Sequence, residues 1–112
     1  MKFSLGCLPL FLFFSTKIYA QSVFSVNLKS KADVKVFVVK TEAQADLKVF
    51  KLNSSFKVNE NNGKWFFTKL ESQAKFKIYF VDLESQADVK VFFVKNESQA
   101  GWRNKSKMQY FY

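Results

Sequence analysis

The residues best equipped for chemistry stand at the end of the chain. In Ala100-Gly101-Trp102-Arg103-Asn104-Lys105-Ser106-Lys107-Met108-Gln109-Tyr110-Phe111-Tyr112, three cations fall at alternate positions and an indole stands beside the first. Read as an extended strand, Arg103, Lys105 and Lys107 share one face. Basic side chains interleaved with rings can follow a polyanionic backbone and stack on it. Lys90, one of a regular row of lysines upstream, joins them as a candidate contact. The competing reading is a capping strand whose aromatics finish the core, since terminal units of repetitive chains are regularly atypical.

Little else suggests reactivity. The chain contains no histidine, and its single cysteine is Cys7. That removes histidine acid–base work, Ser-His-Asp and Cys-His nucleophiles, and zinc sites of the usual ligand types. No glycine-rich phosphate loop is present. Asp82 and Glu84 lie close together, as an acid–base pair or a cation site requires, but Glu84 is simply a repeated position and Asp82 adjoins a turn. The expectation is a protein that is not an enzyme, with no cofactor, no metal and no small-molecule substrate.

The elements that must position these residues are copies of one another. Ala87-Asp88-Val89-Lys90-Val91-Phe92-Phe93-Val94-Lys95-Asn96-Glu97-Ser98-Gln99 is a clean 13-residue unit. Obvious copies begin at Ala32, Ala45, Ala74 and Ala87, and weaker ones at Tyr19, Asn61 and Ala100, which makes seven units with a three-residue insertion in the third. A short fixed period decides the fold class before any single residue does. Position four is Lys35, Lys48, Lys64, Lys77 and Lys90, with Arg103 last and Ser22 first. Position six is Phe24, Phe37, Phe50, Phe66, Tyr79 and Phe92. Position eleven is Glu42, Glu71, Glu84 and Glu97.

Each unit reads as one strand and one turn. Val89 to Val94 is β-branched and aromatic and is bounded by polar residues. Both of its faces are apolar at the centre, which predicts burial on both. A helix is disfavoured, because 13 residues leave no room for a helix and its connection. Glu-Ser-Gln-Ala-Asp is the turn, expected to close through side chains bonding their own neighbouring backbone, since the chain has only three glycines and one proline. A stacked lysine row would repel itself, so carboxylates of the Asp88 and Glu97 type are expected between the lysines. In the inserted segment, Asn62-Gly63 between apolar runs signals a tight turn, either a hairpin or a loop that lets the chain pass.

Residues 1–20 read as a secretory signal peptide: Lys2, an apolar run from Phe3 to Phe14, and a small residue, Ala20, at the cleavage point. Ser4-Leu5-Gly6-Cys7 has too little hydrophobic segment before it to serve as a lipoprotein box. Residues 21–112 then form a single exported domain, periplasmic or extracellular, without cysteine. It carries sixteen basic and nine acidic residues, a net charge of +7. Such a charge favours polyanions, whether glycan, lipid head group or nucleic acid; the plainer role for the lysines is solubility and protection of strand edges. Self-association through in-register glutamine and aromatic ladders is the third option.

Ala87-Asp88-Val89-Lys90, and then Glu97-Ser98-Gln99-Ala100-Gly101-Trp102-Arg103-Asn104-Lys105-Ser106, resemble the 7(1) septoil knot family. The resemblance covers roughly residues 20–112. It implies a small, often exported bacterial protein, compact and β-rich, whose backbone threads a seven-crossing torus knot. It brings no activity and no ligand residue. Periodicity by itself shows no knot, and knots are nearly absent in general, so the residues alone point to an all-β repeat domain, a small β-solenoid or barrel. In a wound arrangement, unit n is expected beside unit n+2. The functional expectation is a non-catalytic structural or interaction domain with a rigid, protease-resistant core, or alternatively an envelope module binding anionic polymers through Lys90, Trp102, Arg103, Lys105 and Lys107.

Overall fold

A computed structural model describes residues 21–53 and 61–112; the proposed signal peptide and residues 54–60 of the inserted segment lie outside them. The strand-forming runs become strands where expected: β1 (Gln21–Ser25), β2 (Val34–Val38), β3 (Leu47–Lys51), β4 (Lys64–Phe67), β5 (Phe76–Phe80), β6 (Val89–Phe93) and the short β7 (Gly101–Trp102). Their starts fall 12 or 13 residues apart, except for 17 between β3 and β4.

Six strands close into a ring in the order β4-β1-β5-β2-β6-β3, with β3 bonded back to β4. Every pairing in the ring is parallel. Only β7 is antiparallel, lying along the first half of β3. The expectation that unit n lies beside unit n+2 is overturned: β1 pairs with β4 and β5, β2 with β5 and β6, and β3 with β6 and β7 as well as β4. Consecutive strands other than β3 and β4, which are direct neighbours, stand next-but-one in the ring, and the connection between them straddles the strand in the gap. The turn after β1 packs on β5, the turn after β2 on β6, and the turn after β5 on β2.

Register is the same at every step. Position five of one strand faces position three of the next: Val23 opposite Phe76, Ile78 opposite Val34, Val36 opposite Val89, and Val91 opposite Leu47. A stagger of two residues per 4.8 Å of strand separation tilts the strands by roughly 55° from the barrel axis. Positions three and five from all six strands point inward and are buried, including Val23, Val34, Val36, Leu47, Val49, Trp65, Phe76, Ile78, Val89 and Val91. Phe111 fills the remaining interior, with its ring centroid 5.1 Å from those of both Trp65 and Phe76. The Gln21 side-chain amide donates to the Phe111 carbonyl at 2.8 Å.

The outer face departs from the expectation of full burial. The position-six aromatics Phe24, Phe37, Phe50, Phe66, Tyr79 and Phe92 are each half-buried, because what covers them is a set of thin connections and not a second layer. The stagger places lysines opposite these rings: Lys77 faces Phe24, Lys35 faces Tyr79, Lys90 faces Phe37, Lys48 faces Phe92 and Lys64 faces Phe50. No lysine ladder forms, so the repulsion that such a stack would carry does not arise.

The turns also differ from expectation. Five of them, at Lys29–Lys31, Glu42–Gln44, Glu71–Gln73, Glu84–Gln86 and Glu97–Gln99, are single 3-10 turns with no side-chain cap. Backbone bonds close them, as when the Ala87 N–H donates to the Glu84 carbonyl at 3.1 Å. The aspartates that end the linkers reach across the sheet instead of back to their own turn. Asp46 donates its N–H to the Lys90 carbonyl at 2.7 Å, and its carboxylate accepts the Lys90 N–H at 2.9 Å. Asp33 does the same with Lys77, and Asp88 with Lys35. A parallel strand thereby starts with both backbone groups of its neighbour satisfied.

The Asn62-Gly63 signal is half right. Gly63 has φ +86° and its carbonyl accepts from Phe50 at 2.9 Å, but β3 and β4 run parallel, so no hairpin exists. The twelve residues from 52 to 63 return the chain to the start of a strand beside the one it has left, which a tight turn cannot do. A side chain at Gly63 is impossible without movement, since a Cβ there would lie 2.3 Å from the Lys48 carbonyl oxygen. Gly63→Ala is expected to cost about 3 kcal/mol or more, read as a drop in the urea unfolding midpoint at unchanged m-value.

Candidate functional site

The structure disperses the five candidate contact residues. The extended conformation ends at Trp102, and Lys105–Phe111 is a 3-10 helix whose N-cap, Asn104, accepts the Ser106 N–H at 3.2 Å. The expected strand face bearing Arg103, Lys105 and Lys107 is therefore not formed. Asn104 has an amide that competes for backbone partners, and Phe111 must turn inward to fill the barrel. Both constraints favour a helical turn over a strand.

Arg103 is spent on the protein itself. Its guanidinium Nη1 donates to the carbonyls of Glu42, Ala43 and Ala45 at 3.1, 2.8 and 3.3 Å, and its backbone N–H donates to the Asp46 carbonyl. It thus closes the last turn onto the turn after β2. The Trp102 indole N–H donates to both the carbonyl and the side-chain oxygen of Asn61 at 3.0 Å, and its ring packs near Phe111. Lys107 donates to the Asp88 carbonyl at 3.1 Å and leans over the Tyr110 ring. Lys105 alone is exposed without such a contact. The capping role set against the binding role at the C-terminus is met by Phe111, Trp102 and Arg103, in a helical and not a stranded form.

Lys90 and Lys107 do meet. They line one side of an open groove of about 470 Å³, together with Asp46, Glu84, Ser85, Ala87 and Asp88. Three carboxylates against two ammonium groups make this a poor seat for a polyanion. Lys90 is already paired with Glu84 at 3.2 Å. Among the described residues no group of three or more histidine, cysteine, aspartate or glutamate side chains is placed to hold a metal ion.

The Lys90–Glu84 pair belongs to a series. Lys48 pairs with Glu42, Lys77 with Glu71 and Lys64 with Glu97, at 3.3–3.7 Å for side chains that remain partly exposed. Glutamates lie beside the lysines, as the repeat implied, whereas the aspartates bind backbone. Each such surface pair contributes no more than about 1 kcal/mol; its larger effect is to neutralise the belt. Lys35 is the exception, because position eleven of the preceding turn is Lys29. Among the described residues Lys29, Lys31 and Lys35 have no carboxylate partner, and Lys29 donates only to the Gln86 side chain at 3.3 Å. The sequence carried this signal in the substitution of lysine for glutamate at position eleven of the first unit.

Compared with known proteins, residues 20–103 match the 7(1) septoil knot domain. The chain belongs to that family. No curated protein and no solved structure matches it. The family match covers all six ring strands and the start of the last unit. Arg103→Ala is expected to lower stability by about 1–2 kcal/mol through the loss of three carbonyl contacts. Lys105→Ala should stay within about 0.5 kcal/mol. Chemical denaturation of the two variants side by side checks the contrast.

Proposed function

We propose that this septoil knot domain is an exported, non-catalytic structural or interaction domain whose value lies in a rigid β-core that rarely opens. The observation that carries the reading is the pairing scheme: every ring strand is hydrogen-bonded to at least one strand three or four places away in sequence, and only β3 and β4 are also bonded to a sequence neighbour, each other. Freeing β1, β2, β5 or β6 breaks two ladders to strands distant in sequence. Local opening is therefore costly, and cleavage of a folded chain depends on opening. The export assignment rests on residues 1–20; the non-enzymatic assignment rests on the missing histidine and the structural use of the carboxylates. With sixteen basic residues beyond residue 20, trypsin has ample sites. The folded protein is expected to be cut at least about 100-fold more slowly than the urea-unfolded chain, and comparable rates would sink the reading.

The finer topology belongs to the same proposal. Stepping next-but-one around the ring at every step except β3 to β4 winds the chain about the axis nearly twice, and the connections after β1, β2 and β5 pass over a strand laid down elsewhere in the sequence. That winding supports a seven-crossing torus knot. Pulled by Gln21 and Tyr112, an unknotted chain would extend to roughly 330 Å at about 3.6 Å per residue. A knotted one stops short by the residues trapped in the tightened crossing. Full extension in a single-molecule experiment would remove the knot.

A second reading, binding of anionic polymers at the envelope, is favoured by one observation, the net charge of +7 in residues 21–112 together with lysines that lack carboxylate partners. It draws little on the Trp102–Lys107 segment, where the fold itself engages Arg103 and Lys107.

A further inference from the structure

The first turn inverts the charge of all the others and stands at the middle of an exposed apolar arc. Lys29 and Lys31 occupy the positions where four turns have glutamate and glutamine, and both are exposed. Leu28, which begins this turn, is 56 % exposed. Leu70 and Leu83 hold the same position in the turns after β4 and β5 and are 56 % and 57 % exposed. These three turns follow three neighbouring strands of the ring, β4-β1-β5. With strands 4.8 Å apart and a two-residue stagger, equivalent positions repeat about every 8 Å at one height around the barrel. The leucines therefore form one arc, while the turns after β2 and β6 carry Thr41 and Asn96 there. Between the first turn and the Glu71 turn lies a groove of about 250 Å³, lined by Phe24, Val26, Asn27, Leu28, Lys31 and Glu71.

The charge around this arc is mainly positive once internal pairs are removed, with Asp82 beside Leu83 and Asp33 near Lys31 as the carboxylates that no lysine ammonium engages among the described residues. Glu71 and Glu84 are engaged by Lys77 and Lys90. Lys29, Lys31, Lys35 and Lys69 have no carboxylate partner among the described residues. An apolar surface framed by unneutralised cations complements a phase that is apolar beneath an anionic face. An acidic polysaccharide offers the charge but nothing to receive three leucines, and a second copy of the same arc would set like charges against one another.

We infer that the Leu28–Leu70–Leu83 arc, with Lys29, Lys31 and Lys35, docks the domain peripherally on an anionic phospholipid surface. This goes beyond the rigid-scaffold reading and is independent of it, because trypsin resistance is unaffected by either result. Lys29 and Lys31 supply the electrostatic attraction, worth about fivefold in partitioning per cation, and the leucines insert at the boundary between head groups and acyl chains.

The test is co-sedimentation of the exported chain with vesicles of phosphatidylglycerol and phosphatidylcholine at 1:3, against pure phosphatidylcholine. The expected result is binding to the anionic vesicles alone, weakened by salt. The K29E/K31Q variant installs the residues the other turns use and supplies Lys35 with a carboxylate, so it is compatible with the fold. It should bind roughly 20-fold less well. L28S/L70S/L83S should lose about tenfold at unchanged charge. K95E/K105Q makes the same change in net charge at the turn after β6, across the ring from β1, and in the C-terminal helix, and should bind like the parent. Equal losses in K95E/K105Q and K29E/K31Q would overturn the proposal in favour of diffuse charge. Binding to a soluble acidic polysaccharide but not to vesicles would overturn it, as would leucine variants that change only the oligomeric mass in solution.

Discussion

A stagger of two residues between every pair of ring strands sets the rest of this structure. It follows from a unit whose inward residues are positions three and five: sliding by two keeps the same face inward, whereas sliding by one would expose the core set. Repeated at six steps, it tilts the strands steeply and closes the sheet without an edge. It also carries each position-four lysine past its counterparts and sets it opposite a position-six ring. The same offset thus packs the interior and prevents a lysine stack on the exterior. The glutamates of the turns, six residues before the lysines in three of four pairs, pair with every position-four lysine except Lys35.

Closure forces the departures from the repeat. A ring entered by β4 immediately after β3 needs two consecutive strands side by side and parallel, which requires the longer third connection and a residue without Cβ where Gly63 passes the Lys48 carbonyl. Trp65 at the next inward position is far larger than the valines that hold that position in β1, β2, β3 and β6. It meets Phe111, the residue that plugs the barrel from the C-terminal helix. Gln21, buried opposite Trp65, earns its place by donating to the Phe111 carbonyl. Among the described residues the buried Gln21 side-chain amide oxygen and Trp65 indole N–H find no partner, a local cost of about 1–3 kcal/mol each set against a filled interior.

The period, the strands and the inward residues were legible because they are local properties of each unit. The neighbour relation was not. Units that share one pattern accept one another equally well, so Val36 could sit beside any position-three residue, and nothing in the side chains separates n+2 from n+3. Turn chemistry was misread for a related reason. Asp46 looks like a local turn former, and its partner is Lys90, 44 residues away, which only the ring order brings near. Arg103 and Lys107 looked like free cations because their acceptors are backbone carbonyls, groups every residue has and no sequence pattern marks. The chain's membership of the septoil knot family was legible in the last unit, but family and fold do not transmit a ligand.

In a repetitive chain, a residue that breaks the pattern is either required by the way the repeat ends and closes or left over. Gly63, Trp65, Gln21, Phe111 and Arg103 are of the first kind, each with a contact that closure demands. Lys29 and Lys31 are of the second kind. Their turn has the same backbone bonds as the others, with the Ala32 N–H donating to the Lys29 carbonyl as Ala87 does to Glu84, so the fold does not need lysine there. It would be served better by a glutamate beside Lys35. A substitution that forgoes an available ion pair, on a turn flanked by outward leucines, has its explanation outside the domain, in what that face meets.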